Sequence, residues 1–272
     1  MTPAAEQDRI RIVFKADDMG AAHAINEGTV EAHRNGVVTS ADVIVPGPWF
    51  YHAARLLKEN PKLDMGVHLC LTSEWEDVKW RPLTYGRSFT NPDGYFYPMV
   101  RRNPVFPPNS SLLESKPNIE EVERELRAQI ETARRHIPRV SFLSNHMGAG
   151  MATPELRAIV EALSKEFRLP IQDAMPRNRW LSGVYAGSDS GNVKGEKLAA
   201  RLESLAPGDY VHLDHAALDT PEMRAIGHEG YRNVAQDRSA NVEAWCSKAV
   251  KDVISRRGIA RITMKELLAE QT

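Results

Sequence analysis

The chain has 272 residues, 42% of them hydrophobic, which is ample for a sizeable core and fits either two small domains or one α/β barrel. Its 35 basic and 36 acidic residues leave a net charge of −1, with no electrostatic footprint for nucleic acid or an anionic membrane. No apolar run is long enough to cross a bilayer, residues 1–9 hold no signal-peptide core, and Cys70 and Cys246 form no CxxC pair; together these lead us to expect a cytoplasmic location.

The apolar run before Asp17 reads as a buried strand that ends in two adjacent carboxylates, Asp17 and Asp18, with Met19 and Gly20 behind them. Adjacent strand residues point to opposite faces, so the two carboxylates can share a pocket only where the strand ends and the backbone bends. Held close, they call for a cation or a strong donor. Segment 22–35 then reads as a helix, with Ile25, Thr29 and Ala32 at helical spacing and Gly36 as terminator. A β-branched run over 37–45, a helix over 49–60 stopped by Pro61, and a strand over 65–71 follow. This alternation is the pattern of βαβ units on a parallel sheet.

Between 72 and 117 the rhythm breaks into an aromatic, proline-rich insertion holding Trp75, Trp80, Tyr85, Phe89 and Phe96. Its aromatic content argues for order, and we expect it either to wall a cleft for sugar rings or to form a satellite cluster. Asn118 caps the next helix, whose first turns are acidic and whose last turn carries Arg134, Arg135 and His136. A fourth strand at 140–143 leads into Ser144-Asn145-His146, and Thr153-Pro154 opens another helix. A short fifth strand is expected around 169–171, then an irregular segment over 173–192 with Arg177, Arg179 and Trp180. A helix over 193–205, a sixth strand over 210–213 ending in Asp214-His215, a long helix over 241–257, a strand over 259–262 and a helix from Met264 complete the chain. With no linker or compositional break, residues 1–272 read as one domain, a parallel sheet that either closes into a barrel or stays open. In both cases the ligand belongs at the C-terminal ends of the strands.

The polar candidates all fall on that rim: Asp17 and Asp18 after strand one, His68 in strand three, His146 after strand four and His215 after strand six. Each histidine alone has an ordinary core reading, and His212, on the strand itself, keeps it. Two imidazoles and one carboxylate with positions left open form a catalytic metal set. It suits zinc, and also cobalt, nickel, manganese or iron; magnesium is less natural with imidazoles.

Lys15-Ala16-Asp17-Asp18-Met19-Gly20, Asn26-Glu27-Gly28, Gly36-Val37-Val38-Thr39-Ser40 and Asp64-Met65-Gly66-Val67-His68-Leu69 closely resemble the YdjC-like carbohydrate deacetylases, of the wider polysaccharide deacetylase superfamily. The resemblance implies a distorted (β/α) barrel of about seven parallel strands, related to TIM-like glycoside hydrolase and deacetylase barrels. It implies hydrolysis of N-acetyl groups on amino sugars, one divalent metal held by Asp18, His68 and His146, and Asp17 as general base. The chain departs from the family at Ser144, where an aspartate is common, and at His215-Ala216, where a His-Pro pair is usual.

On this reading the metal polarises the acetyl carbonyl, Asp17 takes the proton of the attacking water and His215 protonates the leaving amine. Arg177, Trp180 and Asp214 are the candidate substrate contacts, the partner is a small carbohydrate, and exposed insertion aromatics allow a homodimer. Two other readings use the same rim. One is a metal hydrolase of a carbohydrate-linked ester, lactone or phosphate, with Arg177, Arg179 and Arg232 available for phosphate. The other is a non-catalytic sugar-binding barrel.

Overall fold

A computed structural model describes residues 9–174, 176 and 179–270. Strand β1 (Ile10–Met19) runs through its centre and is buried along nearly its whole length. Its side chains alternate as pleating requires. Ile12, Phe14 and Ala16 pack into the main core, whereas Val13 joins a smaller cluster with Phe142 and Val211. Lys15 and Asp17 share the parity of Val13, so this second face turns from apolar to charged along the strand.

β1 pairs in parallel with β2 (Ser40–Val43) on one side and β5 (Gly208–His215) on the other; β3 (Asp64–Leu69) and β4 (Phe142–Asn145) extend the sheet beyond β2. A two-residue strand, β6 (Ala260–Arg261), pairs with the first part of β1. The product is a curled, parallel, six-stranded sheet in which every pairing is parallel, so the C-terminal ends share one rim. The cluster around Val13 forms the floor beneath that rim, plugged by Met264, Leu267 and Leu268 of the last helix. Phe142 projects so far across the floor that a Cβ on Gly66 would meet its ring at 2.3 Å, which explains the glycine in β3.

Two expectations are corrected here. The strand expected at 169–171 is reduced to one bridge between Ile171 and Leu143, and Trp180 makes one bridge to Val211. Among the described residues, irregular chain therefore lies along both outer edges, β4 and β5, where a seven-stranded barrel would need regular strands. Pro170, which has no N–H to donate to a ladder, stands just where that strand would start. The long helix expected over 241–257 is in fact two, α7 (Val234–Cys246) and α8 (Lys248–Arg256). Ser247 between them is extended at ψ 148° and its side chain accepts from Val250 N, capping α8.

The other helices are α1 (His23–Arg34), α2 (Phe50–Glu59), α3 (Ile119–His136), α4 (Pro154–Phe167), α5 (Gly191–Glu203), the one-turn α6 (Pro221–Arg224) and α9 (Met264–Ala269). Asn118 does cap α3, accepting from Glu121 N. The buried face of α3 anchors the insertion: Glu125 accepts from the backbone of Leu83 and Thr84 at 3.1 and 2.8 Å, and Gln129 bonds Cys70 through both N–H and C=O. Trp75, Trp80, Phe89 and Phe96 are 3% exposed or less and join the main core, so they form neither a satellite cluster nor faces for a sugar. No helix among the described residues is long and apolar enough to cross a membrane.

Candidate active site

The carboxylate pair meets at the rim because β1 is bulged. Its register against β2 slips between Ala16 and Met19, and Asp18 sits at φ 73°, in the left-handed region. The bend thus lies inside the strand, not after it, and turns Asp18 to the side that Asp17 already faces. Aspartate tolerates this conformation better than most residues, and strain of this kind concentrates at functional sites.

Around Asp18 Oδ1 stand His146 Nδ1 at 3.2 Å and His68 Nε2 at 3.5 Å. That oxygen is buried, and no described residue makes it a hydrogen bond of good geometry. The outer nitrogens of both rings are engaged elsewhere. His68 Nδ1 lies 2.8 Å from Asp42 Oδ2 and 2.7 Å from Ser144 Oγ, and His146 Nε2 lies 2.9 Å from Glu74 Oε2. Ionised carboxylates only accept, so each imidazole carries a proton on its outer nitrogen. His68 Nε2 and His146 Nδ1 are left facing the same carboxylate oxygen, an arrangement that a proton or a cation must bridge. The donor atoms of Asp18, His68 and His146 lie within 4.8 Å of one another. Two imidazoles with carboxylate partners behind them, plus a free carboxylate oxygen, fit a divalent cation.

The other oxygen, Asp18 Oδ2, lies 3.0 Å from Arg238 Nη1 and 3.6 Å from His215 Nε2. The two oxygens thus divide their work, one toward the imidazoles and one toward the cationic side chains. Burial raises the Asp18 pKa, yet His215, Arg238 and His146 together hold it well below the usual carboxylate range. Asp17 moves the opposite way: burial and the neighbouring Asp42 push it up, against Lys15, His68 and His215. Burial lowers the His68 pKa, but Asp42 and Asp18 outweigh it and lift it to about 9. His146 likewise rises well above its ordinary value, burial being overcome by Glu74, Cys70 and Asp18. Protons therefore sit on the two rings where a metal would displace them.

The structure brings Asp17, Asp18, His68, His146 and His215 together, as the rim argument expects. The three candidate substrate contacts fare differently. Asp214 has the parity of the outer face; its Oδ1 accepts from His215 N at 2.8 Å and Asn241 Nδ2 at 2.9 Å, and it stands 3.6 Å from His215 Nδ1. It steadies His215 and does not face the cleft. Trp180 bridges Val211 and packs against the apolar floor, away from the carboxylates. Arg177 lies outside the described residues. Arg232 is tied to Glu76 at 2.6 Å and Arg179 reaches the Asp209 carbonyl at 3.4 Å, so neither joins a phosphate site at the cluster.

Sequence reasoning missed Lys15, Asp42, Glu74 and Arg238, all at most 5% exposed. Lys15 and Asp42 carried a usable signal, charged residues inside apolar strand runs, which must pair if they are to be buried. Glu74 and Arg238 sit in segments without periodicity and carried none. A second trio, His23, Glu27 and His52, also places its donor atoms close together. There the Asn26 amide accepts from Gly20 N and donates to Trp49 O, which fixes its Nδ2 as a donor to His52 Nδ1 at 3.1 Å. The His52 proton is then on Nε2, facing Glu27 at 3.3 Å, the wrong tautomer for a ligand.

The chain is similar in sequence and fold to known proteins. The carbohydrate deacetylase of Brevibacillus brevis is 29% identical over 95% of this chain and 100% of its own length. That of Geobacillus stearothermophilus is 34% identical over 93% and 96%, and that of Thermus thermophilus 33% over 79% and 80%. Among solved structures, an Enterococcus faecalis V583 protein named for cellobiose-phosphate cleavage superposes with a TM-score of 0.74 at 24% identity, covering 95% of this chain and 99% of that one. The Xyl-CE4 domain of a termite-hindgut xylanase shares the fold more distantly, with a TM-score of 0.53 at 11% identity over 97% and 91%. The YdjC-like protein family matches residues 11–256, a stretch that contains every residue of the cluster, and the chain belongs to that family.

Proposed function

We propose that the protein is a hydrolase that removes N-acetyl groups from amino sugars or their short oligomers, with one divalent cation held by Asp18, His68 and His146. The observation that carries this reading is the convergence of two imidazoles, each backed by a carboxylate, on a buried carboxylate oxygen that lacks a hydrogen bond of good geometry. The names of the relatives supply the substrate class. Bound there, a divalent cation would polarise the acetyl carbonyl and acidify the attacking water.

The chain's own residues do the rest. Asp17 is the base. Lys15 holds its Oδ1, which leaves Oδ2, 3.9 Å from His68 Nε2, to accept the water's proton. A base with a pKa raised by burial sits closer to its working pH than an ordinary aspartate. His215 stands on the opposite side of Asp18 and is the part of the cluster most open to solvent, at 37%. Burial and Arg238 lower its pKa, but Asp18, Asp214 and Asp17 leave it raised, so it holds the proton that the leaving nitrogen needs. Water and the amide become acetate and a free amine, with the proton entering through Asp17 and leaving through His215. The donor set suits zinc, with cobalt, nickel, manganese or magnesium as alternatives.

The test is elemental analysis of the purified protein followed by acetate release from N-acetylglucosamine and its short oligomers. Activity should vanish on chelation and return with added metal. Acetate release that is indifferent to chelation would overturn the assignment.

A further inference from the structure

We infer that Asp42, on β2, is the positioning residue for His68, and that Lys15 locks this carboxylate and the base Asp17 into one buried unit. The inference rests on the metal-dependent reading above and assigns the residues that make it work. Asp42 is opposite Gly66 in the ladder between β2 and β3, so its side chain leans over a position that has none, toward His68 two residues further on. It is 0% exposed, as is Lys15.

Each oxygen of Asp42 touches the site. Oδ2 lies 2.8 Å from His68 Nδ1 and 2.5 Å from Lys15 Nζ, and also accepts from Ser144 Oγ. Oδ1 accepts from the backbone N–H of Asp18 at 3.3 Å, at the bulge itself. Lys15 Nζ donates in turn to Asp17 Oδ1. The contact between His68 and Ser144 fixes how the proton is shared: the Ser144 hydroxyl donates to Asp42, so toward His68 Nδ1–H it can only accept. The charge that sets the His68 tautomer therefore comes from β2, and Ser144 on β4 is a neutral companion. A carboxylate buried in this lumen without a cation would be untenable, and Lys15 supplies that cation. Because the same ammonium holds the base, the ring that faces the metal and the group that moves the proton are fixed relative to one another.

Since Ser144 Oγ and Asp42 Oδ2 lie at nearly the same distance from His68 Nδ1, a carboxylate should do the same work from either strand. Zinc affinity, measured by competition with a chromophoric chelator, tests this with Asp42→Ser, Ser144→Ala and the exchange variant Asp42→Ser/Ser144→Asp. Loss of an outer partner typically weakens a metal site 10–100-fold, the loss expected for Asp42→Ser, whereas Ser144→Ala should stay within about threefold of wild type. The exchange variant should recover most of the loss, and the visible spectrum of its cobalt form should match wild type. Zinc binding by Asp42→Ser as tight as wild type would overturn the inference. So would a larger loss in Ser144→Ala than in Asp42→Ser, a comparison that stands even where the exchange variant does not fold. Wild-type protein that takes up no metal would instead remove the function proposed above, so the two failures are distinguishable.

Discussion

Asp17 and Asp18 are neighbours with opposite electrostatics, one raised in the company of Asp42 and the other lowered by two cationic groups at its Oδ2. Different substitutions should therefore fail differently. Asp17→Asn keeps shape and loses the base, so metal content by elemental analysis should match wild type while acetate release falls by at least about a hundredfold, the usual size of a general-base contribution. Asp18→Ala should lose the metal itself; unchanged metal content there would sink its role as a ligand. His212 gives a residue-scale prediction about stability. It is 2% exposed, its Nδ1 accepts from Trp245 Nε1 at 3.2 Å, and burial lowers its pKa to about 4. The folded state thus refuses a proton that the unfolded chain takes up below about 6.5. The sign follows: stability is full above about pH 6.5 and is lost as pH falls toward 4, by roughly 3 kcal/mol. Urea unfolding at pH 7 and pH 4.5 should show a smaller acid loss in His212→Gln than in wild type, and equal losses would reject the account. The core reading of His212 was open to sequence because it alternates with Leu213; its pKa is lowered by burial, against a nearby Asp214, in a setting where Trp245 and Tyr185 pack on its ring, and only the fold brings those rings near.

At the scale of elements, ends announced by strong local chemistry were legible and those set by packing were not. Asn118 and the charge gradient of α3 locate that helix from sequence. The division between α7 and α8 lies in a run with no glycine or proline, where one serine prefers to cap over continuing the helix. Ser247→Ala removes the bond to Val250 N, and we expect a loss of about 1 kcal/mol in chemical denaturation with acetate release unchanged. A stability equal to wild type would show that packing alone sets the break. β4 is a further case. It runs from Phe142 to Asn145, two residues beyond the end that the apolar run suggested, which places Ser144 inside the strand at register with His68, its hydroxyl 2.7 Å from that ring.

At the scale of the whole molecule, the curled sheet has an apolar floor and a charged upper lumen, the latter crowded with Lys15, Asp17, Asp18, Asp42, His68 and His146. A cation that binds only the folded state adds stability by mass action, about 2.7 kcal/mol at a hundred times its dissociation constant. The melting temperature should accordingly rise by several degrees with zinc in wild type and stay fixed in Asp18→Ala; a rise of the same size in both would place the stabilising metal elsewhere. The sequence by itself determined the parallel α/β class and which candidates share a rim, because strand ends and parity follow from local pattern. It also determined the family, through the motifs around Asp17, Asp18 and His68. Tertiary structure alone decided that β1 bulges at Asp18, that irregular chain runs along the outer edges of the sheet, and that Asp42, Glu74 and Arg238 stand behind His68, His146 and Asp18. Those partners lie 26 to 220 residues away from the groups they orient, and the pairing of buried charges over such separations is set by strand order and register, which no local pattern encodes.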